Sequence, residues 1–234
     1  MKESTVDGRP QGFSLAFLLM AVLFNVCLIA SNLFASKLFC VAGITLSGAV
    51  IIFPVSYILN DILCEVYGYR KARLVIWTGF AMNLFVVLVA QLVIALPGAP
   101  FWEGKEGFDL VFGSTPRALA ASLLAFLAGS TMNAFVMSRM KLSDRRGRRF
   151  ALRAVLSSVA GELLDSGIFV TILFWSLGGA EILRIVAAQV AVKVVYEIII
   201  LPLTQFIVRR VKAAEGVDTF DDGISYNPFK ITDF

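Results

Sequence analysis

Long stretches without a charged side chain are the feature that most limits how this chain can fold. No Asp, Glu, Lys or Arg lies between Arg9 and Lys37, between Lys37 and Asp61, or between Arg73 and Glu103. A helix that crosses a hydrocarbon core of ~30 Å needs roughly 20 apolar residues. Each of the three stretches is therefore long enough to supply one membrane-spanning helix.

The second half of the chain contains three more long apolar stretches: 118–138, 154–180 and 185–208. The first has no charged residue, and each of the other two has two. Hydrophobic residues make up 58% of the 234 residues, against ~45–50% in soluble domains. We therefore predict an all-α integral membrane protein, a six-transmembrane-helix bundle forming a single membrane domain over residues 1–234. The predicted helices are approximately 12–36, 46–66, 72–96, 117–140, 152–176 and 181–209.

The connecting segments carry charge asymmetrically. Segments 67–73, 138–153 and 208–212 are basic, whereas segment 97–117 is net acidic. Short cytoplasmic loops collect Lys and Arg, so we expect both termini, including a tail over residues 210–234, to lie in the cytoplasm. The same rule accounts for the basic clusters, so we expect membrane lipids and no nucleic acid as partners.

Two residue types limit the chemistry. The chain has no histidine, which excludes imidazole metal ligands, imidazole proton relays and Ser–His nucleophile pairs. Its three cysteines, Cys27, Cys40 and Cys64, show neither metal-ligand nor disulfide spacing. We expect no metal and no cofactor.

Acidic residues in the fifth predicted helix need compensation. Glu162 and Asp165 would lie near its middle, where a carboxylate costs at least ~2.5–3.5 kcal/mol on insertion scales. At 100° per residue they share a face with Phe169. Something else in the bundle must pair with them.

The sixth predicted helix carries a matching polar side, formed by Gln189, Lys193, Tyr196 and Glu197. Lys193 can pair with Glu197 at i+4, or it can reach across to an acid on the fifth helix. The pattern leaves both pairings open.

Earlier helices add polar groups that can converge on the same cavity. The second helix contributes Phe53, Tyr57 and Asp61, with a kink predicted at Pro54. The first contributes Asn32. Together these groups predict a substrate or ion site within the membrane.

Other interpretations of these residues compete with a binding site. Glu162, Asp165, Lys193 and Glu197 also fit a buried structural ion-pair network. Asp61 and Glu65 lie close to the basic segment 67–73 and also fit a role at a helix end.

An aspartyl protease dyad of Asp61 and Asp165 is the enzymatic alternative. Their flanks, LNDILCE and LLDSG, lack the GxGD context that such a protease needs. We therefore predict that the protein is not an enzyme.

Four segments carry a family resemblance, in this order along the chain: SNLFASKLF (31–39), VIIFPVSYILNDILCEVYGYRKAR (50–73), GELLDSGIF (161–169) and DTFDDGISYNPFK (218–230). They resemble the queuosine precursor transporter family, also called the vitamin uptake-like family. The resemblance implies a six-helix bundle similar to the substrate-binding components of energy-coupling-factor transporters. It also implies import of a 7-deazaguanine across a bacterial inner membrane, the candidates being 7-cyano-7-deazaguanine, 7-aminomethyl-7-deazaguanine and queuine.

That cargo suits the polar residues. A guanine-like edge offers two adjacent N–H donors, which one carboxylate, Glu162 or Asp165, can accept together. The ring carbonyl needs a donor, and the flat faces need aromatic walls. The expected donors and walls are Asn32, Gln189, Lys193, Phe53, Tyr57, Phe169 and Tyr196; Glu197 or Asp61 would serve a cargo ammonium group.

The driving force and the assembly are left open by the sequence. Import can be coupled to protons, can follow downstream use of the base, or can depend on an energy-coupling-factor ATPase module, with this chain as the binding subunit for a vitamin or nucleobase. The first helix has no AxxxA pair, which favours a stand-alone carrier without that module. A homo-oligomer is left open.

Overall fold

The computed structural model describes residues 13–34, 36–41, 44–113, 116–144, 149–176 and 178–230. Within these ranges the chain forms six α-helices and one β-hairpin. The helices are α1 (Leu15–Phe34), α2 (Ala49–Ile94), α3 (Lys105–Phe112), α4 (Pro116–Ser143), α5 (Phe150–Leu173) and α6 (Gly179–Glu215). Strands β1 (Leu38–Val41) and β2 (Ile44–Ser47) pair antiparallel between α1 and α2.

In the described part of the chain, five helices are long and apolar enough to cross a membrane, all except α3. Their outer faces carry large exposed hydrophobic side chains, which on α1 are Leu15, Leu18, Leu19, Val22 and Val26. Soluble monomers rarely expose apolar surface of this extent. The prediction of an all-α, multi-pass membrane protein is confirmed, and the structure adds the short hairpin, which the sequence did not predict.

The predicted second and third helices form one element, α2, which is broken at Gly68. Its backbone there has φ 84° and ψ 169°, a region that only glycine adopts at low cost. A Cβ at Gly68 would also lie 2.7 Å from Asp221 Oδ1. Around Pro54, where the sequence predicts a kink, the dihedrals stay helical, so the break lies 14 residues later than that kink.

Contacts with α1 give the direction of the second arm of α2 (residues 69–94). Near the start of α1, Ser14 Oγ lies 3.4 Å from Tyr67 Oη, and near its end Asn32 Nδ2 donates to Asn83 Oδ1 at 2.9 Å. The second arm therefore runs parallel to α1.

Contacts with α4 give the direction of the first arm (residues 49–67). Asn60 Nδ2 donates to the Ser130 carbonyl at 3.0 Å, and further along both helices the Lys141 ammonium donates to the Glu65 carbonyl. The first arm is thus parallel to α4.

Helices α1 and α4 themselves are antiparallel. Phe24 packs against Phe126, whereas Asn32, later in α1, meets the earlier Ser122 at 3.3 Å. Since each arm of α2 follows one of these two helices, the chain reverses its direction at Gly68.

Charged residues gather at the end of the bundle where this reversal lies. Glu65 accepts from Arg153 Nη2 at 2.9 Å and from Lys212 Nζ at 2.7 Å, while Lys141 binds its carbonyl. The basic segments predicted from the sequence therefore meet at one end.

Residues 216–230, here called the C-terminal strap, fold back over this end. The tail begins later than predicted, because α6 continues to Glu215. Asp221 of the strap accepts from the Tyr69 N–H at 2.9 Å and from the Ser138 hydroxyl. Arg73 Nη1 donates to the Asn227 carbonyl at 2.7 Å. The Thr219 N–H of the strap also donates to the Val66 carbonyl at 3.1 Å, so the strap binds both sides of the break at Gly68.

Asp218 anchors the same strap to two helices. Its Oδ1 lies 2.6 Å from Lys141 Nζ and 2.9 Å from Lys212 Nζ. Burial raises the pKa of the Asp218 carboxyl, but the hydrogen bonds and charges of the two lysines outweigh it and hold the pKa below its ordinary value of 3.8.

Candidate functional site

Lys193 of α6 lies between the two acids of α5. Its Nζ is 2.5 Å from Glu162 Oε2 and 2.9 Å from Asp165 Oδ2. Of the two pairings that the sequence left open, the structure therefore has the one across helices. One ammonium thus lies between two carboxyl groups, and we call these three side chains the Lys193 cluster.

Aromatic side chains from the first arm of α2 border this cluster. Lys193 Nζ lies 4.5 Å from the centroid of the Phe53 ring, a cation–π contact. The Tyr57 ring is 5.6 Å from Phe53, and its buried hydroxyl has no hydrogen-bond partner within the described residues. The cluster thus has an aromatic wall and an unused donor beside it.

Two glycines let α4 and α5 approach closely at this level. A Cβ at Gly129 would lie 2.5 Å from Tyr57 Oη, and one at Gly161 would lie 2.8 Å from the Gly129 carbonyl oxygen. Small residues permit such approaches between membrane helices. They also make room for the Tyr57 ring next to the acids of α5.

Two further predicted acids, Asp61 and Glu197, are also buried in the bundle. Asp61 is 1% exposed, and its Oδ1 accepts from Asn133 Nδ2 at 2.9 Å and from Ser157 Oγ at 3.3 Å. Glu197 is 5% exposed, and its Oε1 has no hydrogen-bond partner among the described residues.

Glu65 belongs to neither group. Its partners, Arg153 and Lys212, are both basic, and its side chain is only 2% exposed. These partners come from α5 and α6 and not from segment 67–73, so Glu65 is neutralised across helices.

The model of a protein family described as "Putative vitamin uptake transporter" matches residues 47–207. That match covers more than half of the chain. The chain belongs to this family.

Two curated relatives of this vitamin uptake transporter family were found. The "Probable queuosine precursor transporter" of Bacillus subtilis is 27% identical over 175 residues, which cover 74% of this chain and 76% of that protein. The "Queuosine precursor transporter" of Escherichia coli is 24% identical over 154 residues, or 65% of this chain and 66% of that protein. These names describe transporters and not enzymes, and they agree with the resemblance found in the sequence.

No solved structure matches the chain. The expected similarity to energy-coupling-factor components therefore stays a prediction for this member of the vitamin uptake transporter family.

Five of the predicted site residues come together in this family member: Phe53, Tyr57, Glu162, Asp165 and Lys193. Asp61 and Glu197, on α2 and α6, are buried as well. Whether they bind substrate remains a prediction that geometry alone does not test.

The other four predicted residues lie elsewhere or make other contacts. Asn32 hydrogen-bonds Asn83 and Ser122. Ser122 lies about 10 Å from Gly129 along α4, at 1.5 Å per residue. Phe169 packs against a small apolar cluster, and Tyr196 packs against the main core. Gln189 is half-buried on α6, one turn before Lys193.

The sequence did not single out several residues that hold this region together. Ser157 supports Asp61, and Arg153 reaches Glu65 from within α5. A serine in a helix is too common to stand out, and Arg153 reads as the end of a basic segment. The available signal was their position, because both residues lie within the predicted fifth helix, 152–176, and the structure begins α5 at Phe150.

Proposed function

We propose that this protein imports a queuosine precursor, 7-cyano-7-deazaguanine or 7-aminomethyl-7-deazaguanine, across the bacterial inner (cytoplasmic) membrane for tRNA queuosine modification. The names of the two relatives supply the cargo class. The observation that carries the proposal is the Lys193 cluster, where one ammonium shared by two buried carboxylates lies beside an aromatic ring.

The bundle crosses the membrane six times in this proposal. The reversal at Gly68 makes each arm of α2 one crossing, and α1, α4, α5 and α6 supply the other four. The end that gathers Arg153, Lys141 and Lys212 faces the cytoplasm, because positive charge stays on that side. The C-terminal strap and the start of α1 lie at the same end, so both termini are cytoplasmic.

The Lys193 cluster suits a guanine-like edge. A carboxylate that accepts the ring N–H and the exocyclic amine makes charge-assisted bonds, and the ammonium can donate to the ring carbonyl. Phe53 and Tyr57 supply apolar faces for a flat heterocycle. The side chain of Asp165 is 10% exposed and that of Glu162 only 3%. Asp165 therefore binds the guanine-like edge of the cargo in this proposal, and Glu162 holds Lys193 in place.

A stand-alone secondary carrier is the form that we propose, without an energy-coupling module. Support comes from the names of the relatives, which describe transporters in their own right, and from the missing AxxxA pair in the first helix. Uptake by cells that express this chain alone is the expected outcome. Tight binding with no uptake would instead indicate a binding subunit.

Ligand-induced thermal stabilisation of the detergent-purified protein tests the cargo. A ligand that binds only the folded state raises stability by RT ln(1 + [L]/Kd). We expect a selective shift with one or both 7-deazaguanines and none with guanine or vitamins. A shift with a vitamin alone would overturn the cargo.

The same assay on amide variants tests the site. Asp165→Asn removes a charged acceptor worth roughly 1.5–3 kcal/mol, so the Kd should rise about 10-fold to 150-fold. Glu181→Gln is a matched control, since Glu181 is exposed and, among the described residues, forms an ion pair only with Arg184, at 3.4 Å. Unchanged binding by both Asp165→Asn and Glu162→Gln would refute the assignment.

A further inference from the structure

The Lys193 cluster lies in the half of the bundle that is farther from the C-terminal strap. Phe53, which borders the cluster, lies about 6 Å beyond the start of α2 and about 22 Å before Gly68, at 1.5 Å per residue. On the same rise, Lys193 lies about 21 Å from the start of α6 at Gly179 and about 33 Å from its end at Glu215. A cargo bound at the cluster must therefore pass the longer part of the bundle to reach the end that carries the strap.

A buried ionic network closes that part of the bundle. Glu65 of α2 accepts from Arg153 of α5 at 2.9 Å and from Lys212 of α6 at 2.7 Å. Lys141 of α4, only 2% exposed, donates to the Glu65 carbonyl. Four helices, α2, α4, α5 and α6, are thus held together at one residue. Because breaking a buried ion pair is costly, these helices can separate here only if each charge finds another partner or water.

The strap binds two lysines of that network. Lys141 Nζ donates to Asp218 Oδ1 and to the Thr219 carbonyl, both at 2.6 Å. Lys212 Nζ lies 2.9 Å from the same Asp218 oxygen. The docked strap therefore ties α4 to α6. Detachment of the strap removes this tie and lets water reach both lysines, which is the condition for the network to open.

The rest of the strap docks on α2 and α4 through side chains. Asp221 accepts from the Tyr69 N–H at 2.9 Å and from the Ser138 hydroxyl. The Tyr226 ring lies 5.0 Å from the Tyr69 ring and 5.2 Å from the Phe135 ring. The strap itself forms neither helix nor strand. Since local openings cost less free energy than global unfolding, such a segment can detach while the helices stay folded.

We propose that the C-terminal strap is the inner gate of the carrier. It holds the cytoplasmic end closed while the cargo binds, and it detaches before the cargo leaves to the cytoplasm. This inference rests on the proposed function and on the orientation given there. The segment DTFDDGISYNPFK (218–230) is one of the four that carry the family resemblance, and the gate gives it a role other than binding the cargo.

The test locks the strap reversibly in the full chain. In Ser138→Cys/Asp221→Cys, thiols replace two side chains that contact each other, and an oxidant joins them as a disulfide. Exchange of radiolabelled 7-cyano-7-deazaguanine across proteoliposome membranes requires the carrier to open to both sides. The oxidised double variant should keep the thermal shift with this compound that its reduced form shows, but it should lose exchange, and a reductant should restore it.

The matched controls for this lock are the two single variants, which should keep exchange after the same oxidation. All the variants carry Cys64→Ala, which removes a native thiol that lies in the same contact between α2 and α4.

A second lock needs no substitution. A water-soluble carbodiimide joins a carboxyl group to a neighbouring ammonium as an amide, and Asp218 Oδ1 lies within 2.9 Å of two lysines. The treated parent should keep binding and lose exchange. Asp218→Asn, at a side chain that is 46% exposed, cannot form this amide and should keep exchange after the same treatment. This control accounts for carboxyl groups that are modified elsewhere.

Two results would overturn the inference while leaving the proposed cargo in place. Exchange by the fully cross-linked protein at the rate of its reduced form would show that the strap stays docked during transport. Loss of binding together with exchange on cross-linking would show that the strap acts on the binding site and not on an exit. A parent that neither binds nor exchanges any 7-deazaguanine would instead refute the proposed function itself, and the inference with it.

Discussion

Replacing Lys193 by methionine removes the one cation of the Lys193 cluster while keeping a long apolar side chain in its place. Glu162 and Asp165 are then buried without a basic partner, and breaking a buried ion pair in this way costs about 3–5 kcal/mol. The side chains are 13%, 3% and 10% exposed for Lys193, Glu162 and Asp165, so water compensates little of the loss. The lost contact with the Phe53 ring adds about 0.5–2 kcal/mol.

A second substitution shows whether charge is the cause. Adding Glu162→Gln to Lys193→Met removes one of the two stranded carboxylates, so the double variant should be more stable than Lys193→Met alone. Both are measured by equilibrium unfolding in detergent. Lys105→Met is the control, since Lys105 pairs with Asp109 at the surface, and such pairs are worth less than ~1 kcal/mol.

Lys193→Met should also change the binding of the cargo. Lys193→Met should lose 7-deazaguanine binding even at temperatures where it is fully folded, because the donor to the ring carbonyl is gone. If Lys193→Met is no less stable than Lys105→Met, or if Glu162→Gln destabilises it further, the ammonium does not compensate these acids and the electrostatic reasoning fails.

Two further predictions concern the end of the bundle at the C-terminal strap. Gly68→Ala should lower the unfolding midpoint, because the backbone strain costs about 1–3 kcal/mol and the new Cβ meets Asp221; Gly167→Ala, whose Cβ has open space, is the control, and equal midpoints would refute the argument. Because the folded pKa of Asp218 lies below 3.8, its contribution to strap docking is complete above that pH and is lost as the pH falls through the lower folded value. Relative to pepsin cleavage of an unstructured peptide at the same pH, cleavage of the strap should therefore increase as the pH falls, and a relative rate that does not change with pH would contradict this.

Much of the fold could be predicted from uninterrupted apolar length. Hydrocarbon offers no hydrogen bonds to the backbone, so a long apolar stretch must be helical. For this reason α1, α4, α5 and α6 lie within a few residues of their predicted positions. The β-hairpin was missed because its short apolar strands continue the same pattern, and only pairing with each other distinguishes them.

The candidate site could be predicted in part. An acid in the middle of a membrane helix must be compensated, so Glu162 and Asp165 implied a nearby cation, and Lys193 was among the few available. Asn32 fits the same polar pattern, yet it hydrogen-bonds Asn83. Polarity alone gives no position around or along a neighbouring helix.

The sequence by itself determined that the chain is a membrane bundle of helices with buried acids, because the free energies of burying backbone and charge depend on residue type and length. Only the tertiary structure decided that α2 reverses at Gly68, that Lys193 pairs with the acids of α5 and not with Glu197, and that Asp61 and Glu197 are buried with no basic partner among the described residues. These features depend on the depth and the rotation at which neighbouring helices pack. Contacts between residues far apart in the chain determine that depth and rotation.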